Sequence, residues 1–256
     1  MPAWDPNQYA RYSDERSRPF FDLTGRIRFE QPEYVVDLGC GSGELTATLA
    51  ERWPGARVEG IDSSPAMLEK AATYSDRVRF SQGNIPEWEP STPVDIVVSN
   101  AALQWVDGHI DLLPRLVRAI NIGGILAFQV PGNFECPSHV LLRELRQSSR
   151  WKAALGADSV RLGSHDPADY LDTLAGSGCE VDAWETTYLH VLSGPNAVLE
   201  WVKGTDLRPV LDLLDEEQTP QFLAEYGALL QDAYPERDYG TVFPFRRIFV
   251  VARRLR

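Results

Sequence analysis

The 256-residue chain has no run of about 18 consecutive apolar residues, so no segment is expected to cross a membrane as a helix. It has only three cysteines, Cys40, Cys136 and Cys179, odd in number and far apart, which argues against a disulfide framework and against a zinc ribbon. No Gly-Lys pair occurs, so a phosphate loop of the G-x-x-x-x-G-K type is excluded. The four histidines, His109, His139, His165 and His190, form no i,i+4 pair and no H-E-x-x-H, so no metal site is expected. A G-x-S-x-G elbow is also missing. Positive charge is scarce: 25 Lys and Arg stand against 37 Asp and Glu, a net charge of −12. Phosphate backbones are held by clustered cations, so a nucleic acid is a poor partner for this chain. The N-terminus lacks a basic end followed by an apolar stretch, so a secretory leader is not expected and a cytoplasmic location is.

What is present is ordinary for a globular protein, with 43% hydrophobic and 24% charged residues. The length suits one large domain, or one domain carrying an insertion. The first 130 residues alternate strand and helix. Tyr34-Val35-Val36-Asp37-Leu38 is a short apolar run ending at glycines, as a buried strand does. Leu45, Leu49 and Trp53 share a helical face. Arg57–Ile61 is a second strand, after which Ser64-Pro65 opens a helix, with Ser as cap and Pro in the first turn. Residues 78–80, 93–98 and 125–130 supply three more strands, and a helix over 110–120 is stopped by Gly123-Gly124. Strand, helix, strand at this spacing predicts right-handed crossovers and a parallel, Rossmann-like α/β sheet with helices on both faces. After Pro131 the rhythm changes. Helices are expected over 137–150 and 166–176, and a long alternating strand over 179–192. An all-helical block over 196–234 and a closing strand over 241–253 follow. The block lies between two strands that could pair, so residues 195–238 read as a cap inserted into a single domain of residues 1–256.

The sharpest motif is Asp37-Leu38-Gly39-Cys40-Gly41-Ser42-Gly43, which follows a strand and opens a helix. Glycines allow a tight turn and close approach of a ligand to the backbone. The spacing is G-x-G-x-G; position 44 is Glu, so the G-x-G-x-x-G of a dinucleotide site is not met. Asp37 beside the loop would repel a pyrophosphate and suits a ligand that carries an ammonium group. Asp62, ending the second strand, can accept hydrogen bonds from both hydroxyls of an adenosine ribose. An adenosine ligand with a cationic tail and no phosphate is S-adenosylmethionine.

From here the sequence resembles the class I S-adenosylmethionine-dependent methyltransferases. Further motifs are similar to those of the branch that methylates trans-aconitate. They are Trp4-Asp5-Pro6-x-x-Tyr9, Glu15-Arg16-Ser17-Arg18-Pro19, the Asp62-Ser63-Ser64-Pro65 run, and Asn100-Ala101-Ala102-Leu103-Gln104-Trp105. Later in the chain come Pro137-Ser138-His139, Trp184–Tyr188, Leu207-Arg208-Pro209 and Phe245–Phe249. The resemblance implies a seven-stranded sheet with its last strand antiparallel. It implies an O-methyltransferase that forms the monomethyl ester of trans-aconitate or a closely related small polycarboxylate. A methyltransferase of another small acid, or a non-catalytic S-adenosylmethionine-binding protein, stays open at this point.

The residues expected at the cofactor are Trp4, Tyr9, Asp37, Gly39, Gly41, Gly43, Asp62, Ser63, Asn84, Ile85 and Asn100. Asn84 stands where many class I enzymes carry an Asp that accepts from the adenine amino group, a role its side-chain oxygen can fill. Residues 1–30 are expected to cover the cofactor and 31–131 to bind it. The residues expected at the substrate are Arg18, Gln104, Trp105, His139, Tyr188 and Arg247. Arginine suits a polycarboxylate because its planar fork meets a carboxylate with two parallel hydrogen bonds. Arg246 and Arg247 are adjacent on a strand, so they point to opposite faces, and the resemblance favours Arg247. A free carboxylate is ionised at neutral pH, so no acid–base residue is expected.

Overall fold

The computed structural model describes residues 13–156, 163–204 and 207–256. A helix, α1 (Ser13–Thr24), precedes β1 (Tyr34–Leu38), α2 (Glu44–Arg52), β2 (Arg57–Asp62), α3 (Pro65–Ala71), β3 (Val78–Gln82) and β4 (Val94–Asn100). Then follow α4 (His109–Arg118), β5 (Ile120–Pro131), α5 (Pro137–Gln147), α6 (Lys152–Leu155), α7 (Pro167–Gly176) and β6 (Cys179–Leu192). The chain closes with α8 (Ala197–Lys203), α9 (Arg208–Leu211), α10 (Gln218–Ala233), β7 (Glu236–Arg237) and β8 (Gly240–Arg254).

The sheet runs β3-β2-β1-β4-β5-β8-β6. β1 to β5 run parallel to one another, and β8 lies antiparallel against β5. The antiparallel last strand was expected. The count is eight instead of seven, because the two-residue β7 pairs with the start of β8. β5 also begins five residues earlier than Ile125. Its first residue pairs with Val94, and the register then shifts so that Ile125 meets Ile96. Gly123 takes the slack at φ 82°, and a Cβ on Gly124 would stand 2.8 Å from the Asp95 carbonyl oxygen. The glycine pair therefore kinks a strand and is not the helix stop that was expected, since that helix ends at Arg118.

The chain divides into two compact units. Of the described residues, one holds 16–132, 163–186 and 247–256, and the other 13–15, 133–156, 187–204 and 207–246. In the first, Val36, Leu38, Val97, Leu126, Phe128, Val130, Ile248 and Val250 form one apolar face. Leu113, Leu116 and Val117 of α4 cover it, with Tyr170 and Leu174 of α7. Each such side chain contributes about 1.5–3 kcal/mol through burial. Asp95 fixes the start of β1 by accepting from the Glu33 and Tyr34 amides at 2.7 and 3.1 Å. Ser64 caps α3, accepting from the Met67 amide, as the Ser-Pro pair predicted.

The second unit has its own core, in which Trp201, Phe222, Tyr226, Phe243 and Phe245 are buried. Its α8, α9 and α10 answer to the helical block expected over 196–234.

Candidate active site

The carboxyl ends of β1, β2 and β4 meet at the glycine turn. All three glycines need a left-handed backbone, with φ of 82° at Gly39, 55° at Gly41 and 78° at Gly43. Their surroundings differ. A Cβ on Gly39 would lie 2.2 Å from the Cβ of Ala102, and one on Gly43 would lie 2.6 Å from the Cβ of Ala71. These two glycines let the turn pack on its neighbours. At Gly41 a Cβ would meet no atom within 4 Å. That open side is where a ligand could approach the backbone closely.

Asp62 holds the turn. Its Oδ2 accepts from the Gly41 amide and its Oδ1 from the Ser64 amide, each at 2.9 Å. A carboxylate offers about four lone-pair positions, so each oxygen keeps capacity for a further donor such as a ribose hydroxyl. Ser63 beside it is half-buried, and its carbonyl accepts from Gln82 Nε2. The adjacent Gly39 and Cys40 amides both donate to the Ile61 carbonyl at 2.8 and 3.1 Å, which fixes the turn against β2.

Asp37 is 3% exposed and accepts from Thr46 Oγ1 at 2.6 Å. Burial pushes its carboxyl up to about 7; the Thr46 hydrogen bond opposes this and the Asp62 charge adds to it. A cation placed beside Asp37 would offset the cost of its charge. Burial also holds the Cys40 thiol well above its usual value, with Asp37 and Asp62 adding to the effect, which makes Cys40 a poor nucleophile. Asn84 is exposed and spends its Nδ2 on Glu87 at 3.4 Å, which leaves its oxygen as the acceptor end. The Ile85 Cδ1 methyl lies 3.8 Å from the Cβ position at Gly39, on the same rim. The two Asp62 oxygens, an apolar rim and a buried acid beside the turn are groups of the kind that suit the ribose, adenine and ammonium portions of S-adenosylmethionine. Trp4 and Tyr9 lie outside the described residues.

Asn100 ends β4, and its Oδ1 is buried with no hydrogen-bond partner among the described residues. Gln104, in the 3-10 turn Leu103–Trp105, donates Nε2 to the Ala101 carbonyl at 2.7 Å, and its Oε1 is likewise buried and unmatched. Trp105 is 37% exposed. On β8, Arg247 is only 6% exposed and donates through Nη1 to Gln129 Oε1 at 3.3 Å. Arg18 presents a different picture: its side chain is 67% exposed on α1 and stands 3.7 Å from Asp22. In the second unit, His139 sits in the first turn of α5 and packs edge-on against Phe134 at 5.3 Å. Tyr188 is buried and stacks on His190, which stacks in turn on Trp201 at 4.8 Å. Asp37, the three glycines, Asp62, Ile85 and Ala102 are thus gathered around one turn. Gln129 did not stand out in the sequence. Its only signal there is a lone polar side chain inside the apolar run Ile125–Val130.

A strand, a three-glycine turn, a helix and an acid closing the second strand, set in a sheet of this order, define a class I methyltransferase. A family model described as a methyltransferase domain matches residues 35–124. The trans-aconitate 2-methyltransferase of Streptomyces avermitilis is 52% identical over 98% of this chain and 97% of its own length. That of Rhodococcus jostii is 49% identical, over 97% of this chain and 98% of its own. Among solved structures, geranyl diphosphate C-methyltransferase from Streptomyces coelicolor superposes with a TM-score of 0.53 at 18% identity, covering 93% of this chain and 77% of that one. The chain belongs to the trans-aconitate 2-methyltransferase family.

Proposed function

We propose that the protein transfers a methyl group from S-adenosylmethionine to one carboxylate of trans-aconitate, giving a monomethyl ester. The observation that carries this reading is the correspondence, at about half identity over nearly the whole chain, with relatives named for that activity. When bound, the cofactor supplies an electrophilic sulfonium methyl; the carboxylate oxygen gains the new O–C bond and the sulfur leaves as a neutral thioether.

The chain's own work is to bind and orient. A carboxylate has a pKa near 4 and is already a nucleophile at neutral pH, so no general base is required. Asp62 accepts from the ribose, the Gly39–Gly43 turn gives the backbone room to approach, and Asp37 faces the ammonium end. Asn84 and Ile85 border the adenine. Substrate carboxylates are anchored by Arg247, with Gln104, Trp105 and Arg18 of the same unit completing recognition. Positioning of this kind can contribute several kcal/mol without acid–base chemistry. The setting is a cytoplasmic small-molecule enzyme; among the described residues no helix is long and apolar enough to cross a membrane. Incubation of the purified protein with S-adenosylmethionine and trans-aconitate, followed by mass spectrometry, should show a monomethyl ester of the tri-acid. Recovery of unaltered trans-aconitate would refute the reading.

A further inference from the structure

β4, β5 and β8 carry a row of polar side chains on one face of the sheet, Gln129 and Arg247 buried and Asn100 half-buried. In the ladder Asn100 pairs with Gln129, Gln129 with Phe249, and Pro131 with Arg247. Paired residues point to the same face, and so do residues two apart on one strand. Asn100, Gln129, Phe249 and Arg247 therefore share a face, and Trp184 lies stacked on Phe249 at 5.0 Å. The apolar cluster of Phe128, Val130, Ile248 and Val250 occupies the other face.

Gln129 is fully buried, with a relative exposure of 0%. Its Oε1 accepts from Arg247 Nη1, and its Nε2 is buried with no hydrogen-bond partner among the described residues. The orientation of the amide is not arbitrary. A guanidinium only donates, so the amide oxygen must face it and the NH2 must face away. Polar groups this deep are nearly always matched. What would match this one is an acceptor lying over the polar row, within reach of a cation. The sheet order narrows the choice. Asp62 and the glycine turn belong to β2 and β1, whereas β5 and β8 lie beyond β4, two and three strands from β1. At about 4.8 Å per strand, Gln129 stands about 10 Å across the sheet from the turn, on the side away from the ribose position.

We infer that Gln129 is a substrate-binding residue whose Nε2 donates to one carboxylate of the tri-acid, with Arg247 fixing the direction of that amide and placing its charge beside the same anion. This rests on the trans-aconitate reading. It assigns a specificity role to an uncharged residue buried in the sheet. Replacement by Glu turns the donor into an acceptor-only anion that pairs with Arg247 and repels the carboxylate.

The test uses Gln129→Met, close to glutamine in shape, and Gln129→Glu. The readouts are KM for trans-aconitate and the cofactor Kd. Inhibition constants are also measured for glutaconate, itaconate and mesaconate, each lacking a different one of the three carboxylates. Gln129→Met should raise KM roughly tenfold or more, the worth of one hydrogen bond to a charged group, with cofactor Kd changed by less than about twofold. Gln129→Glu should raise KM further. The penalty should vanish for one of the three di-acids, the one without the carboxylate that Gln129 holds. An unchanged KM, a parallel loss of cofactor affinity, or an equal penalty on all three di-acids would each overturn the inference. Retained cofactor binding shows that a variant has folded. A wild-type protein that leaves trans-aconitate unmethylated refutes the proposed function instead, whatever the Gln129 variants do.

Discussion

Removing the Asp62 carboxylate should separate cofactor binding from folding. In the protein it accepts two backbone amides at 2.9 Å, from Gly41 and Ser64. Both donors belong to half-buried residues, so Asp62→Ala exposes them to water and costs about 1 kcal/mol of stability. The cost to binding is larger. Two ribose hydroxyls lose a charged acceptor, at about 1.5 kcal/mol or more each, which together weaken Kd on the order of a hundredfold. Asp62→Asn keeps one acceptor oxygen and should fall between wild type and Ala. Isothermal titration calorimetry with S-adenosylmethionine gives the three constants, and thermal melts of the free proteins give the stability difference. Equal Kd values for wild type and Asp62→Ala would refute the assignment of the ribose site.

Four further outcomes follow from the geometry. Asp37 keeps its proton up to about 7 when folded, against 3.8 for an ordinary Asp, so the folded chain binds more protons between those values and this group's contribution to stability falls as pH rises through them. Urea titrations at pH 5 and pH 8 should therefore show a larger loss for wild type than for Asp37→Asn; equal losses would contradict the burial argument. Gly39→Ala places a Cβ 2.2 Å from Ala102 in a left-handed backbone and should destabilise by about 2–4 kcal/mol, seen as a large drop in Tm. Gly41→Ala meets nothing within 4 Å and should cost only about 1–2 kcal/mol of backbone strain, while the binding free energy lost, from the ratio of cofactor Kd values, exceeds the stability lost in thermal melts. Arg247→Lys keeps the charge and loses the fork, so KM for trans-aconitate should rise on the order of tenfold with cofactor Kd unchanged, and wild-type kinetics would remove Arg247 as an anchor.

The parallel half of the fold was legible because its signals are local. An apolar run into Gly39, a Ser-Pro cap at Ser64 and an acid at Asp62 each report on a few neighbouring residues. What escaped depends on partners remote in sequence. α1 contains Pro19, a residue that breaks most helices, yet Phe20 and Leu23 are buried in its last turns and Arg52 donates to the Thr24 and Ile27 carbonyls. Tertiary contacts there outweigh local propensity. β5 reaches back to Ile120 only because Val94 is there to pair with it. The same holds at the site. Glycine spacing pointed to the turn, but not to the different reasons for Gly39 and Gly41, since the crowding atom belongs to Ala102. Gln129 looked like one polar residue in a strand until Asn100 and Arg247 came beside it through the ladder.

The central claim is that this chain esterifies a small tricarboxylate. Its most direct test is competition: the protein is given S-adenosylmethionine labelled in the methyl group and an equimolar mixture of trans-aconitate, cis-aconitate, citrate, isocitrate and the three di-acids. The label should pass into one base-labile product, the monomethyl ester of trans-aconitate, and the Arg247→Lys protein should lose that selectivity. Label appearing first in another acid, or in none while the cofactor is bound, would contradict the account.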